Sequence, residues 1–192
     1  LIRWRHPERG LISPAEFIPV CEEMGMIDEV GLLVLETACR DARNWPETVR
    51  ISVNLSAMQF KSGKLHQDVT RILAHCGLDA RRLELEITES VMLEDASSVL
   101  EQLHKLKYLG VHISLDDFGT GYSSLSYIRN FPFDRIKIDQ SFVRELGSSG
   151  DSLAIIRAVA GLCGSLGITS TAEGVETQRQ LDVLRAENCD SV

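Results

Sequence analysis

Residues 115–125 read Leu115-Asp116-Asp117-Phe118-Gly119-Thr120-Gly121-Tyr122-Ser123-Ser124-Leu125. The stretch begins as the end of an apolar-alternating strand, His112–Asp116, and runs at once into a glycine-hinged loop. Two carboxylates, Asp116 and Asp117, stand side by side at the junction. Adjacent acids at a strand end suit a divalent cation, because hard cations take several oxygen ligands. A metal pair needs a bridging carboxylate with a second beside it. The plainer alternative is that the two acids start a turn and cap a helix near Tyr122.

The segments on either side bear on that choice. Strand patterns occur at Arg50–Asn54, Leu83–Ile87, His112–Asp116, Arg135–Ile138 and Ile168–Ala172, with Leu1–Trp4 as the tail of another. Helix patterns fall between them: a short one from Ser13-Pro14 to about Gly25, then Asp28–Asn44, Gln67–Cys76, Ala96–Leu109, Tyr122–Ile128, Leu153–Leu166 and Thr177–Glu187. Gly77, Gly110 and Gly167 follow three of these as stop signals. Arg5–Gly10 and Gly147–Gly150 read as loops. Alternating strands and helices predict a parallel sheet with helical crossovers.

Side-chain parity separates an open sheet from a barrel. Ser52 and Asn54 oppose Ile51 and Val53; Glu84 and Glu86 oppose Leu83, Leu85 and Ile87; Arg135, Lys137 and Asp139 oppose Ile136 and Ile138. His112, Ser114 and Asp116 oppose Val111, Ile113 and Leu115, while Thr169, Thr171 and Glu173 give the weakest alternation. Strands covered by helices on both faces would be apolar on both. One apolar and one polar face suits a closed barrel with a polar centre. Barrel sites lie at the C-terminal strand ends. Asn54, Glu86, Asp116, Lys137 and Glu173 are late in their strands, and Asp117 adds a further carboxylate. So many acids on one rim call for cations beyond a single lysine. Glu84 and His112 read as structural polar groups of the interior.

Composition narrows the function classes. The chain has 192 residues, 44% hydrophobic and 25% charged, which suits one domain with one core. A net charge of −8, with no basic run longer than Arg81-Arg82, argues against binding DNA or RNA duplexes. The five cysteines are scattered without CxxC spacing, which disfavours zinc knuckles and redox pairs and fits a reducing, cytoplasmic setting. Asp117-Phe118-Gly119 also spells a kinase triplet, but neither the glycine-rich loop nor the HRD motif accompanies it.

LIRWRHPERGLISPAEFIP, SVNLSA, ELEITES, LDDFGTGYSSL, FDRIKID and AEGVE follow one another along the chain. In this order they make the chain resemble the EAL domain, a bacterial phosphodiesterase of cyclic di-GMP. The resemblance spans all 192 residues. It implies a modified (β/α)8 TIM-like barrel, incomplete at the first and last strands. Leu1 falls on the last letter of the Glu-Ala-Leu motif, and the family's final glutamine motif would lie beyond Val192. A domain cut at both ends is the expectation.

The resemblance also implies roles. Asn54, Glu86 and Asp116 match ligands of a first metal; Asp116, Asp117 and Glu173 match those of a second. Lys137 matches the lysine that orients the attacking water, and Glu176 a second acid beside the catalytic Glu173. Arg3 matches an arginine on the substrate's phosphate side. Glu89 matches the glutamate controlling the loop of Phe118, Gly119, Thr120 and Gly121. The implied cofactors are two divalent cations, Mg²⁺ or Mn²⁺, and the implied product is linear pGpG. The partners implied are a homodimer mate and a tethered sensor or GGDEF-type domain, with membrane anchoring of a longer protein compatible with this. The alternative is a catalytically silent receptor for cyclic di-GMP.

Overall fold

The structure is a computed structural model that describes residues 2–93, 95–119, 125–146 and 150–192. Its centre is a five-stranded parallel sheet in the order β3-β4-β5-β6-β7. The strands are β3 (Ile51–Leu55), β4 (Leu83–Thr88), β5 (His112–Phe118), β6 (Arg135–Ile138) and β7 (Thr169–Ala172). Chain order and spatial order coincide, as successive right-handed βα units require. Helices α1 (Pro14–Glu23) and α2 (Ile27–Ala42) precede the strands, and α3 (Leu65–Cys76), α4 (Ala96–Tyr108), α5 (Leu125–Asn130), α6 (Gln140–Arg144), α7 (Gly150–Leu166) and α8 (Gln178–Ala186) alternate with or follow them.

The parity expected from sequence is realised as two faces. Leu83, Leu85, Ile87, Ile113, Leu115, Ile136 and Ile138 are wholly buried on the helix side. Burial of each such side chain contributes about 1.5–3 kcal/mol. Leu65, Val69, Ile72 and Cys76 of α3 and Val99, Leu103 and Leu106 of α4 belong to the same apolar cluster. The opposite face carries Glu84, Glu86, Ser114 and Asp116, which are also buried. Glycines end α3 and precede β5 as expected: Gly77 and Gly110 have φ of 67° and 96°, a region L-residues avoid. Arg82 holds the turn before β3 by donating to the carbonyls of Ala42, Trp45 and Val49.

Three local readings differ from the sequence expectation. The start of the chain is an antiparallel hairpin, β1 (Trp4–His6) with β2 (Gly10–Ile12), rather than a strand tail followed by a loop. Trp4 pairs opposite Ile12, and Trp4 stacks edge-on to Phe17; the two strands form a sheet of their own, separate from the central one. The short helix α6 was not foreseen. Its start is marked by Asp139, whose carboxylate accepts from the Ser141 N–H at 2.9 Å. The helix expected at Tyr122–Ile128 is seen as Leu125–Asn130, residues 120–124 lying outside the described residues. Among the described residues no helix is long and apolar enough to cross a membrane.

Candidate active site

The site is built where β5 departs from regularity. Against β4 its register runs unbroken from Glu84↔His112 to Thr88↔Asp116. Against β6 it goes from Leu115↔Ile136 to Phe118↔Ile138, three residues on β5 for two on β6. The extra residue makes a β-bulge. Successive residues of a regular strand face opposite ways. Here Asp117 takes a left-handed conformation, φ 53°, and its N–H donates to the Asp116 carboxylate at 3.1 Å. Asp116, Asp117 and Glu173 consequently bring one carboxylate oxygen each within 4.8 Å of one another. A turn or cap alone would not gather a third acid from another strand.

Lys137 lies opposite the bulge and reaches across the centre. Its Nζ is 2.7 Å from Glu173 Oε1, 2.9 Å from Asp116 Oδ1 and 3.2 Å from Glu86 Oε2. Burial works against the Lys137 charge, but hydrogen bonds to Glu173 and Asp116 and the charges of Glu86 and Asp116 outweigh it. The ammonium is held above the ordinary lysine range. The acids behave oppositely. Burial, then the Asp116 charge, raises Glu86 above the ordinary carboxylate range although Lys137 pulls it down. Burial and the charges of Asp116, Asp139 and Glu173 raise Asp117 likewise. One ammonium among Glu86, Asp116, Asp117 and Glu173 leaves negative charge uncompensated. The donor set is all hard oxygen, which fits Mg²⁺ or Mn²⁺ and not a soft metal.

The loop after the bulge is held from two sides. The Gly119 N–H donates to Glu89 Oε1 at 2.7 Å, across 30 residues of sequence. The other Glu89 oxygen is buried without a hydrogen-bond partner among the described residues. From below, α6 packs on the backbone. A Cβ at Gly119 (φ +100°) would lie 2.8 Å from the Phe142 ring, and one at Gly174 (φ +70°) 2.7 Å from Gln140 Cβ. One short helix thus abuts the chain just beyond Asp117 and just beyond Glu173. Sequence reading missed Gln140 and Phe142. The available signal was the Asp139-x-Ser141 cap directly after a strand.

The remaining expected residues fall as follows. Asn54 is on β3 opposite Glu86 in register, exposed at the sheet edge. Phe118 is buried. Glu173 and Glu176 line one cleft of about 780 Å³ with Gln140, Thr171 and Val192. Glu176 is exposed, and its N–H donates to Gln180 Oε1. Arg3 is not brought to the cluster among the described residues; it is exposed and donates to its neighbour's carbonyl, Ile2 O, at 2.8 Å. Thr120 and Gly121 lie outside the described residues. Glu84 and His112 are interior polar groups as expected, Glu84 paired with Arg135 and His112 beside Asp134.

A family model described as the EAL domain matches residues 1–192. The chain belongs to the EAL domain family. It is 55% identical over 190 residues to the protein y4lL of Sinorhizobium fredii, covering 99% of this chain and 23% of that protein. It is 42% identical over 196 residues to MucR of Pseudomonas aeruginosa, covering 100% of this chain and 29% of that protein. MucR is named a bifunctional diguanylate cyclase/cyclic di-GMP phosphodiesterase. A solved structure titled as the PaMucR phosphodiesterase in complex with c-di-GMP superposes with a TM-score of 0.93 at 42% identity. The match covers 98% of this chain and 78% of that one. The EAL fold is TIM-barrel-like, and the five parallel strands and their helices follow it. The chain spans about a quarter of the length of these relatives.

Proposed function

We propose that this EAL domain hydrolyses cyclic di-GMP, cleaving one phosphodiester bond with one water to give linear pGpG. The observation that carries the reading is the convergence of Glu86, Asp116, Asp117 and Glu173 around Lys137. The naming of MucR as a cyclic di-GMP phosphodiesterase supports the choice of substrate.

Two divalent cations, Mg²⁺ or Mn²⁺, would supply Lewis-acid charge to the phosphate oxygens and lower the pKa of water. Asn54, Glu86 and Asp116 would hold one; Asp116, Asp117 and Glu173 would hold the other. Lys137, kept protonated, positions the attacking water and offsets phosphate charge. Glu173 and Glu176 present acids to the cleft in which that water would lie. Glu89 fixes Gly119 so that Asp117 keeps its orientation. Arg3, on the exposed start of the chain, is assigned to the substrate's phosphate side.

In the cell we place the domain in the cytoplasm, as a homodimer tethered to a sensor or GGDEF-type domain; MucR combines both activities in one named protein. The test is direct. The purified protein is incubated with cyclic di-GMP and Mn²⁺, and products are separated by chromatography. Appearance of pGpG, abolished by chelation, is expected. Tight binding of cyclic di-GMP with no product at any metal concentration would replace the enzyme with a receptor.

A further inference from the structure

A second cation lies one pleat beneath Lys137. Arg135 and Lys137 share a face of β6, two residues apart, which is about 6.6 Å along a strand. The Arg135 backbone is paired with Thr169, but its side chain does not stay at that level. Its guanidinium leans upward, and Nη1 donates to Thr171 Oγ1 at 3.2 Å, at the level of Lys137. Thr171 lines the same cleft as Glu173 and Glu176. The guanidinium is therefore already directed at the floor of the acidic cluster.

Two groups hold it there. Glu84, only 4% exposed, places Oε1 at 3.5 Å from Arg135 Nε. Thr171 provides the other hold and is itself steadied by Ser191, whose Oγ is 2.7 Å away. Ser114, in register with both Glu86 and Arg135, supplies none: its Oγ is wholly buried without a partner among the described residues. The arrangement lies beneath the upper one, Glu86–Lys137–Glu173, and differs from it in setting one carboxylate against one cation.

We infer that Glu84 and Thr171 are positioning residues that keep the Arg135 guanidinium from competing with divalent cations for Glu86 and Asp116. A guanidinium prefers a bidentate carboxylate partner. Arg135 is in register with Ser114, which is in register with Glu86 and stands two residues before Asp116 on the same strand, so a guanidinium released from Glu84 has these two carboxylates on its own face of the sheet. Lys137 already takes one oxygen of each, Glu86 Oε2 and Asp116 Oδ1; a guanidinium on the remaining oxygens would leave neither carboxylate open to a metal ion. The inference rests on the metal reading above.

The experiment measures Mn²⁺ affinity by calorimetry or by loss of the free-ion electron paramagnetic resonance signal, without substrate. Wild type is compared with Glu84→Gln, Thr171→Val, Arg135→Gln and the doubles E84Q/R135Q and T171V/R135Q. E84Q is expected to weaken Mn²⁺ binding about tenfold or more, and E84Q/R135Q to restore it to within about threefold, since the competitor is gone. R135Q alone should bind no more weakly than wild type. If E84Q does not fold, T171V against T171V/R135Q decides the matter by the same rescue, as no charge is removed there. Equal affinity of E84Q and wild type, or doubles as weak as their parents, overturns the inference and leaves the metal site standing. A wild type that binds no Mn²⁺ removes the metal reading and this inference together.

Discussion

The two flanks of β5 are built differently. Toward β4 the ladder is regular, and side chains alternate as the sequence pattern demands. Toward β6 one residue too many is accommodated between Leu115 and Phe118. The regular flank stabilises the sheet by burying Leu85, Ile87, Ile113 and Leu115. The irregular flank turns two consecutive acids toward one lysine. The proposed chemistry falls where the ladder yields, and the regular side holds the departure in position.

The largest expected effect comes from removing the charge shared by both flanks. Asp116→Asn leaves the strand and its shape intact but takes away the carboxylate common to both proposed metal sites. We expect hydrolysis to fall by more than about a thousandfold, at or beyond the range for losing one electrostatic stabiliser. Folding, followed by circular dichroism, should be unchanged. Appreciable turnover with two cations still bound per chain would rule out a bridging role.

Next comes the support beneath the bulge. Gly119→Ala puts a side chain at φ +100° and a Cβ 2.8 Å from the Phe142 ring. Strain of that kind costs about 1–3 kcal/mol, with overpacking added. Activity should drop together with the unfolding midpoint. Adding Phe142→Leu should recover the overpacking share only, because the backbone strain stays. Full recovery in the double variant would show that the ring contact, not the conformation, requires glycine.

A smaller effect is expected at the upper hold. Glu89→Ala removes the acceptor for the Gly119 N–H but leaves the bulge and α6 in place. A hydrogen bond to a charged group contributes about 1.5–3 kcal/mol. If that energy orients Asp117, turnover falls roughly tenfold to a hundredfold while the core melts as before. Steady-state kinetics and a thermal melt on one preparation separate these outcomes, and unchanged kinetics would remove Glu89 from the loop's control. Weakening of the proposed homodimer, seen as a change of mass in solution, is the companion expectation.

The regular flank was legible in the sequence, and the irregular one only in part. Alternation of Leu83, Leu85 and Ile87 with Glu84 and Glu86 is a period-two signal, and the sheet follows it. The glycine stops at Gly77 and Gly110 were equally readable, since each has a positive φ. Period two, however, assigns Asp116 and Asp117 to opposite faces; a bulge is invisible to it. The hairpin of Trp4–His6 and Gly10–Ile12 was hidden because each strand is three residues long, too short to show alternation, and little of it is buried. Helix α6 is five residues long, too short to show a helical period. Its meaning comes from the packing of Phe142 on Gly119 and of Gln140 on Gly174, 23 and 34 positions distant, which no local pattern encodes.

The smallest expected effect tests whether the irregular flank carries a stability cost of its own. Asp117 stands beside Asp116, Asp139 and Glu173, and burial and these charges raise its pKa. A carboxylate whose folded pKa lies above its unfolded value binds its proton more tightly in the folded chain. Its contribution is therefore best below the unfolded pKa and is lost as pH rises through the folded one. At neutral pH without cations, ionised Asp117 should destabilise the fold. Asp117→Asn removes that charge, and asparagine also tolerates the left-handed φ of 53°. Cation-free D117N should melt about 1–3 °C above cation-free wild type at pH 7. The gap should close as pH falls below the ordinary aspartate range, where both proteins are neutral at this position. With saturating Mn²⁺ the order should reverse, because wild type gains a ligand-linked stabilisation that the variant lacks in part. Thermal melts at two pH values, with and without Mn²⁺, are sufficient. A D117N gap that is the same at both pH values would mean that the bulge, rather than its charge, sets the cost.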